Sequence, residues 1–441
     1  MCKSLPMGEL GKLLANVRSK NFNLVVIGLG RIGLPLAVSF ALAGIKTIGV
    51  DVNEELVKLV NEGKAPFYEE GLDEALKNVI SNGYLIAIKG FNNIIIQGDV
   101  FIVTVGTPLT EDVYPDYTQL VSVLKSLART EVRGKMIIIK STVAPGTLEN
   151  VVRPLLETSG LKAGIDFGLA VVPERIVEGK ALYEIKMLPE IVGGINEISS
   201  QIAAELFKHL NPGKKIIITK PIVAELAKLF TNVYRYVNFA LANEFALIAE
   251  QYGADAREII RVANEDYPRG GIPMPGFTGG PCLSKDGYYL LQKNIFPEFI
   301  MMAWRVNEYL PQYVANKVIE AIRKLGLNIY STTIGVLGLA YKKDIDDVRY
   351  SPAKKLVNYL ERLGIKVLVH DPYVKGTTPL EHVLASSQVL IIAVNHSQFT
   401  NLENVINNHQ NILLVYDVWG IINREKLRSN VKYLALGAPY E

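Results

Sequence analysis

Residues 23–55 read NLVVIGLGRIGLPLAVSFALAGIKTIGVDVNEE, and the architecture of the first half of the chain follows from them. An apolar, β-branched run comes first, then three glycines, and then a helical pattern that ends at Gly44. A second apolar run follows the helix. The order strand, glycine turn, helix, strand predicts a βαβ unit with parallel strands.

The three glycines have the spacing GxGxxG. Gly28 allows the tight turn, Gly30 lets a pyrophosphate approach the backbone at the helix N-terminus, and Gly33 permits close packing of helix on strand. Asp51 ends the next strand, where a carboxylate can bind ribose hydroxyls. An ordinary glycine turn is the alternative. The flanking strand, helix and acid favour a dinucleotide, and DVNEE has no Arg or Lys for a 2′-phosphate, so we expect NAD rather than NADP.

Composition limits the class of protein. At 441 residues with 49% hydrophobic residues, the chain is long enough for two or three domains. Its 47 basic and 44 acidic residues are mixed, which indicates neither a nucleic-acid nor a membrane partner. Only Cys2 and Cys282 are present, so there is no disulfide framework and we expect a cytoplasmic protein. No run reaches the length of a membrane span, and we expect no metal site.

The pattern of elements predicts an α/β protein with two Rossmann-like doubly wound domains joined by an all-helical centre. Buried strands are predicted in DVFIVTVGTP, KMIIIKSTV, GLAVVPE and EIVGG, and a second α/β series begins near residue 332 with TIGVLGLAY. Residues 222–253 lack Pro and have one Gly at their end, which predicts a helix of about 45 Å. Because much of its circumference is apolar, we expect it to bury a face against a second subunit. We predict domains at 1–214 (NAD-binding), 215–325 (central helical dimerisation) and 326–441 (second Rossmann-like).

The segment GGPCLSKDGYY contains the one cysteine in the body of the chain, Cys282. A free cysteine is often a small buried hydrophobe. Here the Gly-Gly-Pro lead-in, with Pro281 at the expected first helical position, places the thiol at a helix N-terminus, where the dipole favours the thiolate. Lys285 adds positive charge, and Asp286 follows one turn later on the same face. A hydride acceptor together with a sulfur that can hold an acyl group indicates oxidation of an alcohol to an acid through a thioester.

Lys228 and Asn232 form a second candidate pair on the long helix. Their i, i+4 spacing projects an ammonium and an amide from one face. As structural residues, Lys228 would reach the surface and Asn232 would cap a neighbouring element. As functional residues, the pair would hold an alcohol oxygen and then the developing oxyanion.

Six ordered motifs carry a resemblance to a known family. They are GLGRIGLPLA, STVAPGT, PERIVEG, ELAKLFTN, PGFTGGPCLSKD and GLAYKKDIDDVRYSP. In this order they resemble the nucleotide-sugar 6-dehydrogenases, which include enzymes acting on UDP-glucose and on UDP-N-acetylmannosamine. The resemblance runs from about residue 22 to the C-terminus, and the first twenty residues lie outside it.

The resemblance implies oxidation of a sugar C6 alcohol to a carboxylate, with two NAD reduced in turn and a homodimer as the assembly. Cys282 would attack the intermediate aldehyde, and Lys228 and Asn232 would stabilise the oxygen. The residues implied to position or activate water are Asp286, Thr142 and Glu174. The implied cofactor contacts are Gly28, Gly30, Arg31, Ile32, Gly33, Asp51, Thr107, Thr142, Lys285 and Arg349. The implied substrate contacts are Glu174, Arg175, Lys228, Asn232, Lys342 on the UDP, and Arg269 from the neighbouring subunit.

Arg175, after the glutamate of PERIVEG, resembles the branch that acts on 2-acetamido sugars, so we expect UDP-N-acetylmannosamine rather than UDP-glucose, for surface polysaccharide synthesis. Two departures from the family pattern, Ser284 and Gly106 where many members have proline, remove no reactive group. A two-electron hydroxy-acid dehydrogenase would share the α/β head but need no thiol. A regulatory protein that binds NAD without chemistry would not need four candidate reactive side chains together, namely those of Cys282, Lys228, Asn232 and Asp286.

Overall fold

The computed structural model describes residues 8–90, 97–291 and 296–439. The chain divides into two compact units, Met1–Phe230 with Tyr288–Gln292, and Thr231–Gly287 with Lys293–Glu441. The three-domain division remains a prediction beside these two units. Among the described residues, no helix combines the length and apolarity needed to cross a bilayer.

The first unit is an α/β layer structure. Its strands are β1 (Leu24–Ile27), β2 (Thr47–Asp51), β3 (Leu85–Lys89), β4 (Val100–Val103), β5 (Met136–Ile139), β6 (Gly168–Val171), β7 (Glu190–Gly194) and β8 (Ile216–Thr219). Its helices are α1 (Glu9–Arg18), α2 (Gly33–Leu42), α3 (Glu54–Asn61), α4 (Leu72–Ser81), α5 (Thr118–Ala128), α6 (Arg153–Leu156, after a π-helical turn Leu148–Val152), α7 (Ala181–Met187) and α8 (Glu197–Lys208).

These strands form one sheet in the order β3-β2-β1-β4-β5-β6-β7-β8. Leu24 of β1 pairs with Thr47 on one side and Val100 on the other, both in parallel register. Alternate residues of β1 enter two separate apolar cores, Leu24 and Val26 one, Val25 and Ile27 the other. Such a sheet is covered on both faces, which is why its strands read as unbroken apolar runs.

One strand pair departs from the predicted parallel arrangement. β7 runs antiparallel to β6, with Ala170 opposite Gly194, and β8 then pairs with β7 in parallel. The connection through α7 brings the chain back at the same end of β6 that it left, so β7 runs in the opposite direction. The apolar run EIVGG predicted the strand, but a buried strand has the same sequence pattern in either direction.

The second unit combines long helices with a smaller sheet. Its elements are α9 (Pro221–Gln251), α10 (Ala256–Asn264), α11 (Leu283–Leu291), α12 (Glu298–Lys324), β9 (Thr333–Leu337), α13 (Pro352–Arg362), β10 (Lys366–His370), α14 (Leu380–Ser386), β11 (Val389–Ile392), α15 (Leu402–Asn407), β12 (Leu414–Asp417) and β13 (Lys432–Ala435). The first turns of α9 and the last of α11 belong to the first unit. The five strands are all parallel, in the order β10-β9-β11-β12-β13. The predicted fold class, two Rossmann-like sheets with a helical region between them in sequence, is confirmed.

Candidate active site

The glycine turn has the geometry of a dinucleotide cradle. Gly28 adopts a φ of 94°, which disfavours other residues, and its N–H donates to Val50 O at 2.7 Å. A Cβ at Gly33 would overlap the carbonyl of Gly28, so α2 lies against the turn as only glycine allows. A Cβ at Gly30 would meet no atom within 4 Å, so the space in front of this residue is open to a ligand.

Asp51 completes this cradle at the end of β2. Its Oδ2 accepts the Leu29 N–H at 2.8 Å and its Oδ1 accepts the Asn53 N–H at 2.9 Å. The side chain stays partly exposed, and each carboxylate oxygen has a second lone pair for a ribose hydroxyl. The open helix N-terminus and the anchored acid therefore fit a dinucleotide cofactor.

Two predicted threonines are brought together next to this sheet edge. Thr107 Oγ1 donates to Thr142 O at 2.6 Å, and the Tyr289 hydroxyl donates to Thr107 O. Ile32 stands at the N-terminal boundary of α2. Arg31 lies over the Phe67 ring at 5.0 Å from its centroid. Thr107, in the loop after β4, thus holds the backbone of Thr142, in the loop after β5. Arg31 packs beside the glycine turn.

Glu174 is held at the start of the loop after β6. Its Oε1 accepts the N–H groups of Arg175 at 2.7 Å and Ile176 at 3.0 Å. The Arg175 guanidinium donates to Pro189 O. Lys140 Nζ lies 3.2 Å from Glu174 Oε2. Because this ammonium and the two amides outweigh burial, the pKa of Glu174 is lowered and the group is a carboxylate.

Sequence reasoning missed the charges behind Glu174. Lys140, at the end of β5, also donates to Glu190 Oε1 at 2.6 Å, and Lys214 lies 3.2 Å from Glu190 Oε2. The side chains of both lysines are only 1% exposed. A signal was present in the sequence, since a lysine directly after MIII and a glutamate opening EIVGG are unusual in buried strands.

Glu225 is a second residue that sequence reasoning missed. It lies one turn before Lys228 on α9, and its carboxylate accepts the N–H groups of Gly146 at 2.6 Å and Leu148 at 2.9 Å. Burial raises its pKa to about 6 although these two donors oppose the shift. Lys228 itself is buried, 4% exposed. The start of α9 is therefore tied to the loop that follows Thr142.

The thiol is in the second unit, before the first turn of α11. Cys282 is exposed, and its carbonyl accepts the N–H groups of Asp286 at 3.0 Å and Lys285 at 3.2 Å. The prediction that Pro281 occupies the first helical position is wrong. Gly280, at a φ of 95°, turns the chain, Pro281 and Cys282 form a turn, and the helix begins at Leu283. The thiol still lies at the helix N-terminus, and Lys285 is partly buried on the same turn.

Asp286 contacts one member of the other predicted pair within this unit, Asn232. Its side chain is fully buried, and its Oδ2 accepts the Asn232 Nδ2 at 2.6 Å. The spacing arguments placed Asn232 with Lys228, and Asp286 with Cys282. Tertiary structure adds the contact between α9 and α11, which binds the amide to the carboxylate one turn after the thiol.

Three more predicted residues lie elsewhere in the second unit. Arg349 donates to both carboxylate oxygens of Asp347, with Nε at 2.9 Å and Nη2 at 2.6 Å from Oδ2, and remains 55% exposed. Arg269 is exposed on a turn and lies over the Tyr267 ring, 4.7 Å from its centroid. Lys342 is partly buried in the loop after β9.

Models of three family domains match the chain in order. They are the NAD binding domain, residues 22–211, the central domain, residues 222–309, and the UDP binding domain, residues 335–424, of the UDP-glucose/GDP-mannose dehydrogenase family. The chain belongs to this family. The dehydrogenase is therefore an oxidoreductase with NAD as its cofactor, as the glycine turn predicted.

The similarity extends over most of the dehydrogenase. A UDP-N-acetyl-D-mannosamine dehydrogenase of Pyrococcus horikoshii is 40% identical over 389 residues, 86% of this chain and 90% of that protein. The structure of the UDP-D-ManNAc dehydrogenase of that organism has a TM-score of 0.88 and 36% identity, covering 94% of this chain and 99% of the other. A UDP-glucose dehydrogenase of Pyrobaculum islandicum has a TM-score of 0.83 at 27% identity, covering 95% and 98%.

Proposed function

We propose that this dehydrogenase oxidises the C6 alcohol of UDP-N-acetyl-D-mannosamine to the carboxylate, using two NAD and a covalent thioester. The observation that carries the proposal is the exposed Cys282 thiol at the N-terminus of α11, followed by the buried Asp286 bonded to Asn232. A two-electron dehydrogenase needs no such thiol. Bound NAD would accept a hydride in each oxidation.

In the first oxidation, the hydride of the C6 carbon would pass to NAD and the proton of the alcohol to solvent. We assign the stabilisation of the alcohol oxygen to Lys228 and Asn232. The Asn232 amide has two N–H groups, of which one donates to Asp286, so the other remains for the substrate.

In the second oxidation, the Cys282 thiolate adds to the aldehyde carbon and forms a thiohemiacetal. Loss of a second hydride gives a thioester, and water then cleaves the carbon–sulfur bond to release the acid and the thiol. We assign the placing and activation of this water to Asp286, Glu174 and Thr142. Glu174 suits this role because it is ionised and held by two amides.

The substrate proposal follows the relatives' names and the sequence PERIVEG. Arg175 follows the glutamate of PERIVEG, as in the family branch that acts on 2-acetamido sugars. Its guanidinium donates to Pro189 O. We assign the UDP to the second sheet, with Lys342 as a contact, and a cofactor contact to Arg349. The product would be a uronic acid for polysaccharide synthesis in the cytoplasm.

We also propose a homodimer built on α9, with Arg269 reaching the substrate of the neighbouring subunit. The support is a stripe of exposed apolar residues at seven-residue intervals, Tyr234 at 70%, Leu241 at 46% and Ile248 at 43% exposure. Residues seven apart lie on the same face of a helix. The exposure of Arg269 leaves its guanidinium accessible to a partner subunit.

The test is a panel of UDP-sugars with NAD, in which NADH and the sugar acid are both quantified. We expect UDP-N-acetylmannosamine to give the highest kcat/KM and two NADH for each acid. Cys282→Ala should give at most one NADH for each sugar, because the aldehyde has no sulfur to join. Ser284→Ala, two residues away, is the control and should keep the ratio of two. Its hydroxyl is buried and has no hydrogen-bond partner among the described residues, so its removal costs little.

Each competing function gives a different result in this panel. A preference for UDP-glucose would overturn the substrate and keep the chemistry. Two NADH from Cys282→Ala would overturn the thioester, and no NADH with any UDP-sugar would indicate a binding protein without chemistry.

A further inference from the structure

We infer that Lys140 is a positioning residue of the reaction, whose buried ammonium holds Glu174 as a carboxylate where the water-activating step needs it. This inference rests on the proposed function, which gives Glu174 its role. Neither the sequence motifs nor the spacing arguments assigned Lys140 any function. All the residues concerned belong to the first unit.

The geometry connects Lys140 to Glu174 directly. Lys140 directly follows β5, and Glu174 lies in the loop after β6, the strand that pairs with β5 in parallel. The side chain of Lys140 is 1% exposed, and its Nζ lies 3.2 Å from Glu174 Oε2. The same Nζ lies 2.6 Å from Glu190 Oε1 and 4.8 Å from the centroid of the Phe207 ring. A flexible surface lysine could move away, but this ammonium is enclosed by partners on several sides.

The charges around Glu174 balance only when Lys140 is present. Lys140 comes from the end of β5, Glu190 from β7 and Lys214 from the turn before β8, which makes two cations and two carboxylates. Two further charged side chains lie near the loop after β6. Arg175, in that loop, donates to Pro189 O, and Glu184, on α7, accepts the Val177 N–H. Removing Lys140 would leave the buried Oε2 of Glu174 with no ammonium beside it among the described residues, while the two amides still bind Oε1.

The titration directions agree with this geometry. The carboxylates of Glu174 and Glu190 raise the pKa of Lys140 against the effect of burial, and Lys140 lowers the pKa of Glu174. An unpaired buried carboxylate takes up a proton instead of remaining charged. A protonated Glu174 could not accept a proton from water, so the acid limb of the kcat–pH profile should report the pair.

Lys214 provides a matched control in the same cluster. It is as buried as Lys140 and lies 3.2 Å from Glu190, but its other contacts are the carbonyls of Ile185 at 2.5 Å and Leu188 at 2.7 Å. The structure gives it no contact with Glu174. Lys214→Met therefore removes an equally buried cation and one partner of Glu190, while the pair of Lys140 and Glu174 remains.

The experiment compares Lys140→Met and Lys214→Met by infrared spectroscopy and by kcat–pH profiles with UDP-N-acetylmannosamine. In Lys140→Met at pH 7 we expect the carbonyl stretch of a protonated carboxyl group, and this band should vanish when Glu174→Gln is added. The acid limb of kcat should move up by at least about one pH unit. In Lys214→Met the limb should stay in place, and any new band should survive the addition of Glu174→Gln.

The outcomes separate the inference from the proposed function. The infrared measurement needs no substrate, so it tests the pair of Lys140 and Glu174 whatever sugar the wild type oxidises. If that sugar is not UDP-N-acetylmannosamine, the kcat–pH profiles are measured with the sugar that is oxidised. A wild type that oxidises no UDP-sugar would overturn the proposed function and the role of Lys140 in it. The inference would be overturned if Lys140→Met lowered the melting temperature but left the acid limb unmoved. It would also be overturned if the variant showed no infrared band that depends on Glu174. Either result would show that Lys140 is purely structural.

Discussion

Gly30 and Gly33 belong to one motif but serve different physical purposes. A Cβ at Gly33 would overlap the carbonyl of Gly28, whereas a Cβ at Gly30 would meet no protein atom within 4 Å. The first glycine therefore leaves room for a ligand, and the second is required by the fold itself.

This difference predicts opposite effects of two alanine substitutions. Gly33→Ala should lower the stability of the unliganded protein by about 3 kcal/mol, because backbone must move to admit the methyl group. Gly30→Ala should change that stability by less than about 1 kcal/mol but raise the Kd for NAD at least about tenfold. Thermal melts with and without NAD measure both effects. Equal melting temperatures for the two variants without NAD would contradict this account.

At the scale of elements, an acid at a strand end takes different roles in the two sheets. Asp51 follows β2, stays partly exposed and accepts two backbone N–H groups. Asp371, directly after β10, is 3% exposed, accepts the N–H groups of Leu339 and Ala340, and lies 3.0 Å from His396 Nε2. These donors lower the pKa of Asp371 to about 2. The acid of the second sheet is thus fully used inside the protein and has no oxygen left for a ribose.

Glu225 connects two elements that carry candidate catalytic residues. It belongs to α9, as does Lys228, and its carboxylate accepts amides of the loop that begins with Thr142. Its folded pKa of about 6 lies above the ordinary value of 4.5. Between these values the folded protein binds more protons than the unfolded chain, so the contribution of this group to stability falls as pH rises.

Glu225→Gln should remove this pH dependence. A shift from 4.5 to about 6 corresponds to about 2 kcal/mol, so the variant should gain roughly that much relative to the wild type between pH 4.5 and 7. Melting temperatures of both proteins across this range measure the gain. Glu205→Gln, partly exposed on α8, is the control and should follow the wild type. A difference in melting temperature between wild type and Glu225→Gln that stays constant across this pH range would disprove the raised pKa of Glu225.

At the scale of the whole molecule, the exposed stripe on α9 is the surface on which we propose that a second copy of the chain packs. Tyr234, Leu241 and Ile248 repeat every seven residues along the helix and are 43% to 70% exposed. Exposed apolar side chains repeated along one helix face agree with the dimer that we propose. A twofold dimer can place the same stripe against itself.

The double variant Tyr234→Glu and Leu241→Glu should therefore be monomeric. Four like charges would face each other across the twofold axis, and light scattering should give about half the wild-type mass. Turnover should fall with dissociation, because Arg269 would no longer reach its neighbour. Ile165→Glu is the control, since Ile165 is 77% exposed and belongs to the first unit, whereas the stripe belongs to the second. A monomeric wild type would rule out the proposed dimer.

Much of the molecule followed from local sequence. The spacing of Gly28, Gly30 and Gly33 predicted the turn, because a positive φ and a close helix contact are local demands on one residue. The helix of 31 residues followed from an apolar pattern without breakers. The position of Cys282 before a helix was predicted within two residues, with the error at Pro281.

What the sequence by itself determined were the elements and the cofactor cradle, since each depends on neighbours within a few residues. Only the tertiary structure decided the antiparallel β7, the contact of Asn232 with Asp286, and the charges of Lys140, Glu190 and Lys214 around Glu174. The physical reason is that strand direction and the pairing of buried charges depend on residues distant in the chain, and an unpaired charge in the interior costs too much to persist.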